Sequence, residues 1–105
     1  MMRVLLEMWG YRVFEARGEE ETLQVAESAD PEVILLDTSK LFFDDIEILT
    51  AIRRSRRLKQ TPVIVLTGYS QPQYEQSARD HGASGFLVKP LDLDLLEGFL
   101  GTVAA

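Results

Sequence analysis

Three side chains of different chemistry each follow a continuous apolar run of the sequence. They are Asp37 after residues 33–36, Thr67 after residues 62–66, and Lys89 after residues 86–88. Continuous apolar runs are typical of strands that are buried on both faces of a parallel sheet. Ligands of such sheets bind beyond the carboxyl ends of the strands. The sequence therefore predicts that an acid, a hydroxyl and a base meet at one edge of a sheet.

Each of these residues also has an ordinary structural explanation when it is considered alone. Aspartate and threonine after a strand often cap a turn or a helix. A lysine at the end of a strand is often only solvated. The occurrence of all three at the ends of neighbouring strands favours a common site instead.

The elements that position these side chains alternate between two periodicities. Helical patterns cover residues 1–9, 18–30, 46–58, 72–81 and 92–103, and strand patterns cover residues 11–16 and the three apolar runs. Gly10 and Gly82 are predicted to end helices, and Pro72 suits the first turn of one. The alternation indicates an α/β fold with an open parallel sheet.

Composition excludes several classes of function. The 105 residues predict one domain without an output domain, and the net charge of −6 argues against direct nucleic-acid binding. The absence of cysteine excludes thiolate chemistry, and a single histidine, His81, excludes multi-histidine metal sites. No apolar stretch approaches the roughly 20 residues that span a bilayer. We therefore expect a cytoplasmic protein without membrane contact.

Several conspicuous residues have structural explanations. The basic cluster at residues 53–59 ends a predicted helix, where cations complement the helix dipole, and nucleic-acid contact is the minor alternative. His81 precedes Gly82 at another predicted helix end and has the same explanation. Trp9 and Tyr11 are expected to pack in the core around the first turn.

Three longer segments make the chain resemble the receiver domains of two-component response regulators. They are residues 33–37, 61–68 and 82–90, and the spacings from Asp37 to Thr67 and from Asp37 to Lys89 also match that family. The resemblance runs from Met1 to about Leu100. It implies a flavodoxin-like, doubly wound parallel sheet with strand order 2-1-3-4-5.

The resemblance implies a role for each residue of the site. Asp37 would accept a phosphoryl group from a sensor histidine kinase or a phosphotransfer protein, and Lys89 and Thr67 would each contact a phosphoryl oxygen. Phe86 occupies the position of the family's switch aromatic, with ordinary core packing as the alternative. The peptide between Lys89 and Pro90 is expected to be cis. Receiver domains are not enzymes in the usual sense, because they catalyse only their own phosphorylation and dephosphorylation.

The N-terminal segment of the chain departs from the sequence pattern of the family. Met1 already lies within the match to the family's first helix, so the first strand and the acidic pair that holds Mg²⁺ are missing. Asp37 and the backbone carbonyl of Ser39 would remain as ligands. Asp44 and Asp45, which we expect in the loop beyond Asp37, do not replace the pair. So few ligands predict weak magnesium binding and slow phosphotransfer.

The missing strand leaves three routes to a stable fold. The functional chain begins upstream of Met1, or the strand at residues 11–16 slides over to pair with the next one, or a second copy covers the exposed edges as a homodimer. The sequence does not decide among them.

Three functions fit these features to different degrees. The first is a phosphorelay receiver that switches protein contacts, with a downstream partner docking on about residues 71–103. The alternative is a degenerate, phosphorylation-independent interaction module, which the missing acidic pair and the unusual residues 40–41 favour. A flavodoxin-like cofactor binder would need a phosphate-binding loop after a first strand, which this chain lacks.

Overall fold

A computed structural model describes residues 2–37 and 42–103 of the chain, with the side chains of all of these except residues 42–44. The described residues form five helices and three strands. The helices are α1 (Met2–Met8), α2 (Gly18–Ala29), α3 (Phe42–Arg54), α4 (Pro72–Asp80) and α5 (Leu93–Val103), and the strands are β1 (Ile34–Asp37), β2 (Val63–Thr67) and β3 (Gly85–Val88). In this part of the chain no helix has the length and apolar character that crossing a membrane requires.

The strands form one parallel sheet in the order β1-β2-β3. The register pairs Asp37 of β1 with Leu66 of β2, and Thr67 of β2 with Val88 of β3. All three strands therefore end at the same edge of the sheet. β2 lies in the centre, and all five of its residues are buried.

Helices cover both faces of the sheet, which confirms the doubly wound α/β architecture. One core cluster joins the sheet to α2, α3 and α4, with Leu49, Ile52 and Val65 among its buried members. The other joins the opposite face to α1 and α5 through residues such as Leu6 and Leu96. Burial of each such aliphatic side chain contributes about 1.5–3 kcal/mol.

Glycines end two helices as the sequence predicts. Gly10 follows α1 with a φ of 93°, and Gly82 follows α4 with a φ of 106°. The N–H of Gly10 and of Tyr11 donate to the carbonyls of Glu7 and Leu6 at 3.0 Å. Such bonds satisfy carbonyls of the last helical turn, and glycine adopts the left-handed conformation without steric cost.

Helix α3 ends four residues earlier than its predicted end at residue 58. The guanidinium of Arg53, in its last turn, donates to the carbonyl of Leu58 at 3.1 Å and to that of Thr61 at 2.7 Å. The chain after α3 therefore folds back over Arg53 instead of continuing as a helix. Burial in this setting lowers the pKa of the Arg53 guanidinium.

The strand predicted over residues 11–16 is not formed. Its burial alternates as a strand's would, with Tyr11 and Val13 partly buried and Arg12 and Phe14 exposed, but it has no regular secondary structure. A strand needs a neighbour for its backbone hydrogen bonds. Among the described residues β1 pairs with β2 alone, so of the three routes the one in which this segment slides over to pair with β1 is not taken.

Strand β1 is less buried than its apolar sequence predicts. Leu36 is buried, but Ile34 and Leu35 are only partly so. The reason is that β1 lies at the edge of the sheet, beside a groove of about 1130 Å³.

Candidate functional site

An ion pair connects the two outer strands of the sheet, β1 and β3, at their carboxyl ends. The Nζ of Lys89 contacts the Oδ1 of Asp37. Asp37 ends β1 and Lys89 follows β3, so the two strands lie about 10 Å apart with β2 between them. The long lysine side chain covers this distance across the end of β2. The Asp37 side chain is 51% exposed and the Lys89 side chain 34%, so both remain accessible to a ligand from solution.

The backbone also holds Lys89 in this position. Its N–H donates to the carbonyl of Thr67 at 2.7 Å, which extends the β2–β3 ladder by one bond. The peptide between Lys89 and Pro90 is cis, as the resemblance implied. The structure therefore brings Asp37, Thr67 and Lys89 to one edge, as the sequence predicts.

Thr67 and Phe86 lie on one face of the sheet. Register partners in a parallel pair point to the same side, and Thr67 is paired with Val88 while Val65 is paired with Phe86. Thr67 and Phe86 are consequently diagonal neighbours across the β2–β3 pair. Thr67 is fully buried, and its Oγ1 accepts the N–H of Tyr69 at 3.1 Å.

Phe86 is 8% exposed and belongs to the core cluster of the α2–α3–α4 face. This position agrees with the plain core explanation of the residue. Its role as a switch stays a prediction.

An aromatic pair beside Thr67 was not expected from the sequence. The rings of Tyr69 and Tyr74 lie 4.9 Å apart between centroids and are tilted by 45°. Tyr74 is in the first turn of α4, so the pair connects the loop after β2 to that helix. Two tyrosines flanking Pro72 are the signal that could have revealed it.

The acidic residues around Asp37 do not make a metal site by themselves. Ser39 lies outside the described residues, as does the side chain of Asp44. Asp45 is not in a loop as expected, because α3 begins at Phe42, and it is buried at 6% exposure. Among the residues described, no group of three or more Asp, Glu or His side chains could hold a metal ion. Of the two ligands that the resemblance implies in this chain, Asp37 and Ser39, only Asp37 lies among the described residues.

Comparison with known proteins gives a family match over nearly the whole chain. The model of the response regulator receiver domain matches residues 1–100. The chain is 34% identical over 103 residues to the CAI-1 autoinducer sensor kinase/phosphatase CqsS of Vibrio cholerae, covering 97% of this chain and 15% of CqsS. It is 32% identical over 97 residues to the transcriptional regulatory protein ZraR of Klebsiella oxytoca, covering 92% of this chain and 21% of ZraR. The chain thus spans only a fraction of these relatives.

A solved structure shows the same fold. The chemotaxis response regulator CheY4 of Vibrio cholerae superposes with a TM-score of 0.84 at 32% identity. The match covers 98% of this chain and 86% of that one. This likeness agrees with the parallel sheet and the two helical layers described above.

Proposed function

Because the chain belongs to the response regulator receiver domain family and is a receiver domain of two-component signalling, we propose that Asp37 is its phosphoryl acceptor. The observation that carries this proposal is the contact between Asp37 and Lys89 at the carboxyl edge of the sheet. A carboxylate that is half exposed and lies against a cation is open to an incoming donor. The positive charge beside it favours the anionic product.

The proposed reaction is a transfer from a phosphohistidine of a kinase or phosphotransfer protein. An oxygen of the Asp37 carboxylate attacks phosphorus, so that a P–O bond forms and the P–N bond breaks. The imidazole nitrogen leaves with the bonding pair and takes up a proton. Negative charge spreads over the equatorial oxygens in the transition state. Lys89 is positioned to stabilise that charge, because its ammonium already contacts the acceptor.

Thr67 has to reorient to take part. Its hydroxyl oxygen accepts the Tyr69 N–H and keeps its own hydrogen to donate, but the side chain is fully buried. We propose that it rotates toward the edge of the sheet to donate that hydrogen to a phosphoryl oxygen. We propose that Phe86, its diagonal neighbour, adjusts its packing to that rotation. In this way a change at Asp37 reaches the core cluster that joins the sheet to α2, α3 and α4.

The proposed docking surface for a downstream protein lies on residues 71–103. This segment contains α4, β3 and α5. Its large apolar side chains include Val88, Leu93 and Leu95, which are 38%, 46% and 51% exposed. Exposed apolar side chains suit a surface that a partner protein recognises.

The experiment is phosphoryl labelling of the chain from a small phosphoramidate donor. Intact-mass spectrometry would count the groups added, and hydroxylamine would release them if they are acyl phosphates. Asp37→Asn should abolish labelling, because the amide is not a nucleophile. Asp94→Asn is the matched control, because Asp94 is an exposed residue of the first turn of α5. Labelling that survives Asp37→Asn would refute the assignment.

The second candidate function is a receiver-like module that binds partners without phosphorylation. The observation in its favour is that the described carboxylates do not complete a magnesium site. Amide NMR spectra with magnesium and beryllofluoride, a phosphoryl mimic, separate the two functions. Shifts at Asp37, Thr67 and Lys89 support the phosphoryl acceptor. A well-dispersed spectrum without such shifts supports the second candidate.

A further inference from the structure

A groove of about 820 Å³, the α2–α3 groove, is lined by residues of α2 and α3 and by Ser55, which follows α3. Both helices lead into neighbouring parallel strands, so they run in the same direction. At their ends the hydroxyl of Ser55 donates to the Oε2 of Glu27 at 2.6 Å. Glu19 lies about 12 Å from Glu27 along α2, because each helical residue adds about 1.5 Å. The groove is therefore long enough for about two turns of a further helix.

The middle of the α2–α3 groove is apolar. Leu23 of α2 and Ile46 of α3 line it and are only partly buried, although both pack against the core cluster. Ala51 lines it as well. The hydroxyl of Thr50 donates to the carbonyl of Ile46 at 2.8 Å, so this hydrogen is used within α3. A ligand that covers this floor would remove apolar surface from water.

The two ends of the groove carry opposite charges. The exposed side chains of Glu19 and Glu47 line it near the beginnings of the helices. Arg54 lines the other end. Arg57 lies beside that end, because its Nη1 donates to the carbonyl of Glu27 at 3.2 Å. The carboxylate of Glu27 offsets one of these two cations, so the end keeps a net positive charge.

The dipoles of α2 and α3 do not account for all of these charges. Carboxylates stabilise the first turn of a helix and cations the last, and the effect falls off within one turn. Glu47 lies beyond the first turn of α3, and Arg57 lies after α3 has ended. Neither side chain belongs to an ion pair within residues 2–37 and 42–103. Both charges are therefore available to a ligand.

We propose that the α2–α3 groove binds an amphipathic helix of a partner protein, with acidic residues in its first turn and basic residues in its last. The acidic end lies against Arg54 and Arg57. The basic end lies against Glu19 and Glu47, so the bound helix runs antiparallel to α2 and α3. This order of charges also stabilises the bound helix itself, because it complements the helix dipole. Apolar residues three and four positions apart cover the floor, as is typical of helices that bind in grooves.

A second copy of the chain fits this description less well. Helix α4 has the same order of charges, with Glu75 in its first turn and Arg79 in its last. However, its apolar residues Tyr74 and Ala78 already pack in the core cluster of their own chain. Helix α4 of a second copy would therefore bring a polar face to the apolar floor.

The probe is the synthetic peptide Ser-Glu-Glu-Leu-Ala-Gln-Ala-Leu-Gln-Ala-Leu-Lys-Lys-Ala, acetylated at its N-terminus and amidated at its C-terminus. It is titrated into the unphosphorylated 105-residue chain and followed by amide NMR, because the proposed binding does not depend on phosphoryl transfer. A contact of about two helical turns is small, so we expect a dissociation constant of about 0.1–1 mM. Saturable shifts should occur in residues 19–27 and 46–57.

Two double variants of the chain test the order of charges. Arg54→Glu combined with Arg57→Glu should weaken binding by about fivefold or more, because attraction to the acidic end of the peptide becomes repulsion. Arg56→Glu combined with Lys59→Glu is the matched control. It changes the net charge equally, at exposed residues of the same segment that do not line the groove. It should change the affinity by less than about twofold.

A second peptide, in which the glutamates and lysines are exchanged, completes the test. It should bind the Arg54→Glu, Arg57→Glu variant about fivefold or more tightly than it binds the original chain. Each comparison uses one peptide on two chains, so the helix content of the free peptide cancels. If this variant fails to fold, Glu19→Lys combined with Glu47→Lys reverses the charge at the other end and should give the same pattern.

The proposal is wrong if no saturable shifts occur up to about 3 mM peptide, or if they are confined to residues outside the groove. Equal effects of the two arginine-containing double variants would also refute it, because they would show that only the net charge matters. A dimer of the chain that forms through the groove and is not dissociated by the peptide would assign the groove to a second copy instead.

Discussion

Replacement of Arg53 by methionine should be among the most destabilising changes that can be made to a charged residue of this chain. The Arg53 guanidinium contacts four backbone carbonyls through five donor–acceptor pairs, three of which share the two N–H groups of Nη1. They go to Gly82 at 2.9 and 2.8 Å, Thr61 at 2.7 Å, Leu58 at 3.1 Å and Lys59 at 3.2 Å. One side chain thus fixes the α3–β2 connection and the end of α4. Methionine keeps the length of the stem but provides no donor.

The magnitude follows from the carbonyls that lose their partner. A hydrogen bond to a charged group contributes about 1.5–3 kcal/mol. The bond to Lys59 is exposed, and the five bonds of one side chain do not add independently. Counting only the part-buried carbonyls of Thr61 and Gly82 gives a loss of about 3 kcal/mol. With a urea m-value of about 1.5 kcal/mol/M, the unfolding midpoint should fall by about 2 M.

Urea titration followed by circular dichroism would measure this loss. Arg53→Lys should lose about 2 kcal/mol, because one ammonium cannot reach all of the carbonyls that the planar guanidinium spans. Arg54→Met is the control, because Arg54 is exposed and precedes the same connection, and it should change stability by less than about 0.5 kcal/mol. Equal midpoints for Arg53→Met and Arg54→Met would refute the reasoning.

Three further substitutions have definite expected outcomes. Gly82→Ala should cost about 1–3 kcal/mol in urea unfolding, because its φ is 106° and a Cβ there would lie 2.8 Å from the Cγ of Arg53. Gly98→Ala should instead stabilise the chain by up to about 1 kcal/mol, because α5 leaves open space at this position; a loss would contradict the packing described. Thr67→Val should speed hydrogen exchange of the Tyr69 amide by about fivefold or more, because it removes the acceptor; unchanged exchange would show that the bond does not protect this amide.

The parallel sheet, and the edge of it that carries the candidate site residues, could be predicted because both depend on simple periodicity. Continuous apolar runs mark strands buried on both faces, and parallel strands end at one edge. Asp37, Thr67 and Lys89 therefore had to converge once the runs were parallel neighbours. The ion pair itself was not foreseen as a contact, because it depends on how far the Lys89 side chain reaches across β2.

The end of α3 could not be predicted from its own sequence. The helical periodicity continues to Leu58, and Leu58 is indeed buried. What interrupts the helix is the hydrogen bonding of Arg53, which includes Gly82 as a partner 29 residues away. Contacts over such a distance have no local sequence signature, and they override propensity where the two disagree.

Residues 11–16 show which part of a strand a sequence encodes. Tyr11 and Val13 are partly buried while Arg12 and Phe14 are exposed, so the alternation does select a face. Pairing is a separate requirement, because backbone hydrogen bonds need a neighbour at about 4.8 Å. The same distinction explains β1, whose apolar run Val33–Leu36 matches an interior strand although it stands at an edge. Periodicity therefore predicts where side chains point, and the neighbours that are present determine whether a segment becomes a strand and how deeply it is buried.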